Sequence, residues 1–417
     1  MKKIIVFLGQ IRSGEYESIK ATGARLAAIL DTSRNAKIPV EDDFEYIINH
    51  DFRKPASELI AVAKELNSKA PINAFLNFRE SYVREHAVLN GEFGFKGIDE
   101  HSVPKVLNKT LMREAFVRHL GSDCTANFEN INDETQLMAF ADCVGFPLVL
   151  KPTCLAASLF VTVVREKSHL IDAYRNGYRS TLHYIEQHGI KVPAEGLIQA
   201  EEFLQGPLYS IDALVDSEGN AQLTPMVGVI TGNDRNYGDF HHFERSVRFD
   251  VAPHLRQEAA TLAVGGIAAL GLKNCVAHVE FVATPKGARL LEIAARPGAH
   301  RNRLMEKTFG VSLNLAYYRM VCGEHVKLDF SKPLRAFSIV TPFPRKVIPF
   351  EGIKRLADIQ SLKTYKQHEI KVKNGDQVGP ARSGFYSTFQ IELESNDLHS
   401  VLSDVKTIER MENIFNG

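Results

Sequence analysis

The sequence predicts a protein of the α/β class, with a parallel sheet in its N-terminal part and mixed α+β structure after it. Up to residue 91, short β-rich runs alternate with amphipathic stretches, a pattern that favours a parallel sheet with helices on its faces. Later in the chain, strands alternate with turns at the spacing of antiparallel hairpins. The 417 residues are enough for about two to four domains.

The N-terminal region begins with the run KIIVFL at 3–8, which ends at Gly9 as a buried strand would. The elements predicted after it are a helix at 14–30, a strand at 44–48, a helix at 55–67, a strand at 72–76 and a helix at 80–91. No G-x-G-x-x-G follows the first strand, so dinucleotide binding is not expected there.

The rest of the chain carries further helices and hairpins. The predicted elements are a charged connector helix at 109–121, strands at 147–151 and 159–165, a helix at 168–188, strands at 197–202 and 208–215, a hairpin at 275–295, a helix at 303–322, strands at 337–341, 368–373 and 387–392, and a terminal helix. No internal repeat or low-complexity linker separates them.

Composition excludes several classes of protein. The 50 basic and 50 acidic side chains cancel, and the pI near 7.3 gives no general attraction to nucleic acid or to an anionic membrane. Five cysteines without a C-x-x-C argue against a disulfide framework and a zinc knuckle. The apolar run before Gly9 is too short for a signal peptide, and none approaches the ~18 residues of a membrane span. A cytoplasmic location is therefore expected.

The sharpest local feature is HVEFVATPKGARLLEIAAR at 278–296. If 285–287 form the loop, with Gly287 in the left-handed conformation, Glu280 lies directly opposite Glu292 on one face of a hairpin. Opposed like charges destabilise a bare hairpin, so a cation is expected between them. Mg²⁺ is the natural candidate because it takes one or two carboxylates together with phosphate oxygens. The alternative interpretation places both glutamates on a solvated face.

Other charged residues suit an anion or nucleotide site, and each also has a plain structural interpretation. Lys151 ends an apolar strand and is either a phosphate ligand or a surface lysine. Arg296 offers a two-pronged donor for carboxylate or phosphate, or it forms a surface ion pair. For Lys109 an exposed helix position is the favoured interpretation, and Glu201 fits an ordinary strand end. The adjacent histidines His241 and His242 lack further metal ligands at i+3 or i+4, so no zinc site is predicted.

Several stretches occur in an order that is typical of one superfamily. They are NKTLMREAF (108–116), GFPLVLKP (145–152), QAEEFLQGPLYSID (199–212) and HVEF…LLEIAARPG (278–298). Together they resemble the ATP-grasp superfamily of carboxylate–amine ligases, and the first resembles its D-K-x-x-x-R helix. FLNFRESYVREHAVLNGEFGFKG (75–97) resembles the domain that precedes it. The E-x-A-A-R pattern and GPARSGFYSTFQIELES (379–395) are similar to the L-amino-acid ligases that make dipeptides.

The resemblance implies a role for each matching residue. Phosphates would be bound by Lys109, Lys151 and Ser158, adenine by the segment Glu201, Glu202, Phe203 and Leu204, and the metal ion by Glu280 and Glu292, which also contact the nucleotide. Glu244, Arg296 and His300 would contact the substrate, and Arg296, Lys151 and Glu292 would be catalytic. The implied cofactors are ATP and Mg²⁺, with Mn²⁺ as an alternative ion.

The resemblance also implies four parts of the chain. They are an N-terminal βαβ domain (1–105), a connector helix with the lid subdomain (106–203), the catalytic subdomain with the metal site (204–330) and a C-terminal α+β ligase subdomain (331–417). Lid closure would shield an acyl phosphate from water.

The sequence departs from the family pattern at four places. Glu244 matches the glutamate of an E-x-G-H stretch, but Val247 replaces its histidine. Leu208 stands where a glutamate commonly binds ribose, and Ala294 where an asparagine commonly binds metal, so metal binding rests on the two glutamates of the hairpin. The loop at 153–160, usually rich in glycine, contains none.

Three functions follow from these features. The first is an ATP- and Mg²⁺-dependent ligase that joins two amino acids through an acyl phosphate and releases ADP and phosphate. The second is an ATP-grasp ligase of specialised metabolism that uses a non-amino-acid acid or amine. The third is a nucleotide-binding protein that has lost catalysis. The expected partners are small carboxylates and amines, without nucleic acid or membrane. A homodimer is considered because the helices at 80–91 and 303–322 have apolar faces, which more often form core.

Overall fold

The computed structural model describes residues 4–34, 36–190, 192–194 and 196–415, without the side chain of residue 13. The strands of these residues form a four-stranded parallel sheet, a four-stranded antiparallel sheet, a nine-stranded antiparallel sheet and a two-stranded pair. This confirms the predicted class, with parallel pairing at the N-terminus and antiparallel pairing after it. Within the described ranges, no helix is long and apolar enough to cross a bilayer.

The parallel sheet forms the N-terminal part, with strand order β3-β2-β1-β4. Its elements are β1 (Ile4–Leu8), α1 (Ser13–Lys20), β2 (Arg25–Asp31), β3 (Tyr46–His50), α2 (Ala56–Lys69), β4 (Ile72–Leu76) and α3 (Val83–Phe93). The helix predicted at 14–30 is wrong in its second half, because that half is strand β2. A strand between two neighbours is buried on both faces, and its continuous apolar run, RLAAILD, resembles a buried helix.

The next part of the chain is built on the four-stranded antiparallel sheet, in the order β5-β8-β6-β7. Two helices lead into it, α4 (Val103–Leu107) and α5 (Lys109–Leu120). Its elements are β5 (Phe128–Ile131), α6 (Glu134–Val144), β6 (Leu148–Pro152), β7 (Thr162–Val164), α7 (Leu170–His188) and β8 (Ile198–Glu202). Apolar side chains of α6 and α7 pack against the strands in one core. The strand predicted at 159–165 is shorter because a loop occupies its first part.

The nine-stranded sheet has the order β14-β13-β9-β11-β12-β15-β19-β17, with β10 paired to β9. Its first half and the helices around it are β9 (Leu208–Val215), β10 (Ala221–Leu223), β11 (Val227–Thr231), β12 (His242–Val247), α8 (Pro253–Leu270), β13 (Cys275–Thr284), β14 (Gly287–Ala294), α9 (Arg301–Phe309) and α10 (Leu313–Val321). The single helix predicted at 303–322 is in fact two, since Gly310 ends the first with a φ of +75°.

The C-terminal part completes the same sheet. It contains β15 (Ala336–Val340), β16 (Ile348–Pro349), α11 (Leu356–Gln360), β17 (Tyr365–Ile370), β18 (Gln377–Val378), β19 (Phe389–Ser395) and α12 (Leu398–Arg410). Because β12 pairs with β15, the sheet is continuous across residue 330. The division into four domains stays a prediction.

The two faces of the nine-stranded sheet differ in what covers them. Helix α8 packs beneath β13 and β14 and α12 beneath β15 and β19, on the face that we call the helical face. On the other face, α9 covers β12 and β15. That second face carries Glu280, so we call it the glutamate face.

Candidate active site

The two glutamates predicted to bind metal lie directly opposite each other, Glu280 on β13 and Glu292 on β14. The turn is shorter than predicted, since Thr284 pairs with Gly287 and leaves two residues between them. A bulge at Leu291 adds one residue to β14 and restores the predicted pairing. The register predicted for the two carboxylates is therefore confirmed, although the loop that was expected to produce it is not.

The Glu280 carboxylate is held by a chain of buried polar groups. His278 Nε2 lies 3.1 Å from Glu280 Oε1, and His278 Nδ1 lies 2.6 Å from Asp212 Oδ1. The other oxygen of Asp212 accepts a hydrogen bond from Gly298 N at 2.9 Å. Burial opposes ionisation, but His278, with His242 and Arg301 nearby, holds the pKa of Glu280 well below its usual range. The carboxylate is therefore ionised and fixed in place.

Lys109 connects the glutamates to the loop after β6. Its Nζ lies 3.6 Å from Glu292 Oε2 and donates a hydrogen bond to Leu155 O at 2.5 Å. Helix α5 begins at Lys109 because the Asn108 side chain caps it, accepting from Thr110 N. The first residue of the helix thus carries its charge between the predicted phosphate loop and the predicted metal site.

Lys151 lies in a buried ion-pair network with Glu201. Lys151 Nζ is 2.6 Å from Glu201 Oε2, and Arg113 Nε donates to Glu201 Oε1 at 3.0 Å. Gln199 donates to the same oxygen at 2.6 Å. Burial lowers the pKa of Lys151 to about 8. Burial alone would raise the pKa of Glu201, but Arg113 and Lys151 hold it at about 2, so the carboxylate is ionised.

Arg296 reaches the N-terminal part of the molecule. Its Nε lies 3.0 Å from Glu80 Oε2, in the short turn that precedes α3. Burial raises the pKa of Glu80, and the charge of Arg296 opposes that shift. Sequence reasoning missed Glu80, Arg113 and Asp212, although each lies within a stretch that carries the family resemblance. The sequence around a single charged residue does not show which distant residue it contacts in the folded protein.

The structure does not bring two of the predicted residues to this site. Residues paired across strands share a face, and the pairs from Glu280 across the sheet put Arg245, not Glu244, on the glutamate face. Glu244 is fully buried on the helical face, where its Oε1 accepts from Ser338 Oγ at 2.6 Å. Glu202 alternates with Glu201 along β8, so it points away from Lys151, and it accepts from Asn127 Nδ2 at 2.9 Å.

The remaining predicted residues lie in segments next to the elements that carry the site. Phe203 and Leu204 follow β8, where Phe203 N donates to Pro147 O at 3.3 Å, and both are half-buried. Ser158 lies in the loop after β6 with a left-handed φ of +57°. His300 has a φ of +65° and precedes α9 on the glutamate face.

The donor set of the hairpin fits Mg²⁺ or Mn²⁺. Two ionisable carboxylates, partly accessible at 16% and 25% of their side-chain surface, face each other and supply the hard oxygen ligands that these ions take. Within the part of the chain that the structure describes, no cluster of three or more metal-ligating side chains occurs. The pair would therefore hold an ion that also takes phosphate oxygens and water.

Comparison with known proteins agrees with this geometry. The sequence profile of the ATP-grasp domain matches residues 144–302, which include β6, Lys151, Glu201 and both hairpin glutamates. The chain carries an ATP-grasp domain. The alanine–anticapsin ligase of Bacillus subtilis is 25% identical over 301 residues, which are 67% of this chain and 61% of the relative. The L-arginine-specific L-amino acid ligase of Bacillus subtilis is 22% identical over 358 residues, covering 82% of this chain and 80% of the relative.

Solved structures show that the fold extends beyond the ATP-grasp domain. The L-amino acid ligase of Bacillus licheniformis superposes with a TM-score of 0.78 and 14% identity over 98% of both chains. The ADP complex of N5-carboxyaminoimidazole synthetase from Staphylococcus aureus gives a TM-score of 0.73 at 12% identity, over 98% of this chain and 97% of that one. At these identities the likeness establishes the fold, which is that of ATP-grasp enzymes along nearly the whole chain.

Proposed function

We propose that this protein is an ATP- and Mg²⁺-dependent carboxylate–amine ligase that joins two amino acids, with release of ADP and phosphate. The observation that carries the proposal is the pairing of Glu280 with Glu292 beside Lys109, on an ATP-grasp domain. The similarity to amino-acid ligases, which covers about three fifths of the alanine–anticapsin ligases' own length, supports the substrate class.

The reaction needs a carboxylate made reactive, because its oxygen is a poor leaving group. Transfer of the γ-phosphoryl group of ATP to the carboxylate forms an acyl phosphate and ADP. The amine of the second substrate then forms the C–N bond as the C–O bond to phosphate breaks, and the amine proton leaves with the phosphate. Lys109 and Lys151 would neutralise phosphate charge, and the Arg296 guanidinium would stabilise the oxyanion that develops on the acyl carbon.

Glu280 and Glu292 would hold the metal ion, which when bound offsets phosphate charge. For this the protein must keep both carboxylates ionised and oriented. Asp212 and His278 orient Glu280, and Lys109 lies beside Glu292. These contacts fix the position of the Glu280 carboxylate, so the site would bind the ion with little reorganisation.

Residues 153–160 would cover the nucleotide. Leu155 and Leu159 are buried, and the Phe160 ring packs edge-on against Tyr184 at 5.7 Å between centroids. Such a covered site would exclude water, which otherwise hydrolyses an acyl phosphate. This supports a role of the lid in preserving the intermediate.

A second candidate is a ligase of specialised metabolism with a non-amino-acid acid or amine. Leu208 lies on the glutamate face, paired with Val282, where the family commonly has a ribose-binding glutamate. This departure, together with Val247 in place of the family's histidine, favours keeping the candidate.

The test is phosphate release from the purified protein with ATP and Mg²⁺, against single amino acids and then pairs, with mass spectrometry of the products. A new mass equal to two amino acids less one water supports the first proposal. ATP binding without phosphate release for any pair favours the second candidate.

Glu292→Gln should abolish turnover without changing the melting temperature by more than a few degrees. Its matched control is Glu58→Gln, which removes a carboxylate from the exposed face of α2. Normal turnover in Glu292→Gln would contradict the metal assignment.

A further inference from the structure

Arg245 is a buried guanidinium on the glutamate face that no carboxylate neutralises directly. Arg245 is 8% exposed, and its Nη1 donates a hydrogen bond to Thr341 Oγ1 at 3.2 Å. Its Nε has no hydrogen-bond partner, and no carboxylate of the described residues lies within 4.0 Å of it. A buried cation without a partner is costly, so a protein that keeps one beside a binding site indicates that an anion completes it.

The neighbours of Arg245 are cationic side chains and one neutral imidazole. His300 is surrounded by Arg245, Lys371, Arg12 and Arg301, and burial together with these charges keeps its pKa well below its usual value. Lys371 follows β17 and donates to Gln390 Oε1 at 2.9 Å. The nearest acid to Lys371 among the described residues is the exposed Glu369, at 3.8 Å. The space between Arg245 and Lys371 is therefore electropositive.

Arg245 approaches the site from the side opposite to the phosphate-binding lysines. Lys109 lies beside Glu292 on β14, at the edge of the sheet. Arg245 lies on β12, which β9 and β11 separate from β13. The side chain still comes within electrostatic range of Glu280, and the adjacent His242 Nε2 is 3.8 Å from that carboxylate. The order along the face is therefore nucleotide lysines, metal glutamates and then the arginine.

Amide formation consumes one carboxylate and leaves any other unchanged. An amino acid that acts as the amine keeps its α-carboxylate, and a dicarboxylic acid keeps its second one. We propose that Arg245, assisted by Lys371 and His300, binds such a spectator carboxylate of a substrate, through the two-pronged geometry that guanidinium and carboxylate share. The inference rests on the proposed ligase function and adds that one substrate must carry this second negative charge.

Three matched pairs of probes test the inference by direct binding, read as thermal shifts in the presence of ADP and Mg²⁺. L-Alanine against L-alaninamide isolates an α-carboxylate, while L-glutamate against L-glutamine and L-aspartate against L-asparagine isolate a second carboxylate. A charge-assisted contact predicts that the carboxylate member binds at least ~10-fold more tightly in one of these comparisons. A preference that Arg245→Gln abolishes assigns the site to the α-carboxylate of the amine substrate when it occurs in the alanine pair, and to a dicarboxylic acid when it occurs in the acidic pairs.

Variants separate this site from a general preference for anions. Arg245→Gln and Lys371→Gln should each reduce the preference to within about 3-fold, consistent with loss of one charge-assisted contact. The matched control is Arg303→Gln on α9, whose guanidinium is already paired with Glu392 at 2.9 Å, and it should keep the wild-type preference. Lys371 is partly exposed, so its variant remains informative even where Arg245→Gln does not fold.

Two results would overturn the inference: equal binding of all amides and carboxylates by the wild-type protein, or a preference that survives in both variants. Phosphate release is recorded separately. Phosphate release with substrates that lack a spectator carboxylate, at rates equal to those with substrates that carry one, contradicts this inference but not the ligase function. A carboxylate preference that depends on Arg245, without phosphate release for any acid and amine, supports the anion site and rejects the ligase function.

Discussion

Lys151 Nζ lies 2.6 Å from Glu201 Oε2, and both side chains are almost fully buried. The same carboxylate accepts a hydrogen bond from Arg113 Nε at 3.0 Å. Two cations thus share one buried anion, which leaves one net positive charge in the network. The glutamate predicted to bind adenine holds the lysine predicted to bind phosphate, so Glu201 is also a structural support of Lys151.

Removal of this carboxylate should destabilise the fold strongly. Glu201→Gln leaves Lys151 and Arg113 as buried cations without an anion, a change that typically costs about 3–5 kcal/mol. Urea unfolding at pH 7 measures the loss. The control is Glu202→Gln on the same strand, whose carboxylate accepts a hydrogen bond from Asn127 at the surface, and it should cost about 1 kcal/mol or less. Equal losses in the two variants would contradict the role given to Glu201.

The loss of unfolding free energy in Glu201→Gln should also depend on pH. The native pKa of Glu201 is held at about 2, while the unfolded carboxyl group keeps its ordinary value of 4.5. A lowered native pKa stabilises the fold fully above pH 4.5, and this stabilisation is lost as the pH falls toward 2. The difference in unfolding free energy between wild type and Glu201→Gln should therefore become smaller as the pH of the experiment falls below 4.5. A difference that stays constant between pH 6 and pH 3 would argue against an ionised Glu201.

Asp212 should control the affinity for the metal ion without touching it. Its carboxylate fixes His278, which in turn contacts Glu280. Loss of such an orienting partner typically weakens metal binding by about 10- to 100-fold. Asp212→Asn should raise the Mg²⁺ concentration needed for half-maximal ATP turnover by that factor, while Asp250→Asn, which breaks a surface pair with Arg248, should not. A lower melting temperature with an unchanged Mg²⁺ requirement would mean that Asp212 is only structural.

Much of the local structure could be predicted because it depends on neighbours in sequence. The strand at 72–76 has the predicted bounds, and the hairpin places Glu280 opposite Glu292. Strand β2 was mistaken for helix, because burial on both faces removes the alternation that distinguishes a strand. The break at Gly310 was missed, since the apolar pattern continues across it.

The site was harder to predict because its contacts join distant segments. Sequence similarity assigned Glu244 to the substrate, yet alternation along β12 directs Arg245 to the glutamate face and Glu244 to the helical one. A match to a family motif does not determine which face of the sheet a side chain lies on. Here a bulge near His242 shifts the in-and-out alternation of side chains along β12. The contact of Arg296 with Glu80 joins the segments that follow β14 and β4, and the contact of Lys151 with Glu201 joins two paired strands about 50 residues apart. No spacing in the sequence encodes either contact.

Helix α7 offers a stabilising substitution. Gly177 lies in the middle of the helix, and a Cβ added there meets no atom within 4 Å. Gly177→Ala should raise the free energy of unfolding by about 0.5–1 kcal/mol, because alanine loses less backbone entropy in a helix. Gly189→Ala is the contrasting variant, since Gly189 ends the helix with a φ of +61° and its added Cβ would lie 2.9 Å from Arg53 Cδ. It should destabilise by about 1 kcal/mol. Urea unfolding that shows no gain for Gly177→Ala would contradict the space seen around it.

Helix α7 contacts the C-terminal part of the molecule through a pair of hydroxyl groups. Tyr184 of α7 and Tyr386, in the loop before β19, lie 3.2 Å apart at their oxygens. Tyr386→Phe removes this contact, so residues 153–164 should exchange their amide hydrogens about 2- to 10-fold faster, as expected for the loss of one hydrogen bond. The control is Tyr178→Phe, an exposed tyrosine of the same helix. Hydrogen–deuterium exchange measures both, and equal exchange in the two variants would show that the hydroxyl pair does not restrain residues 153–164.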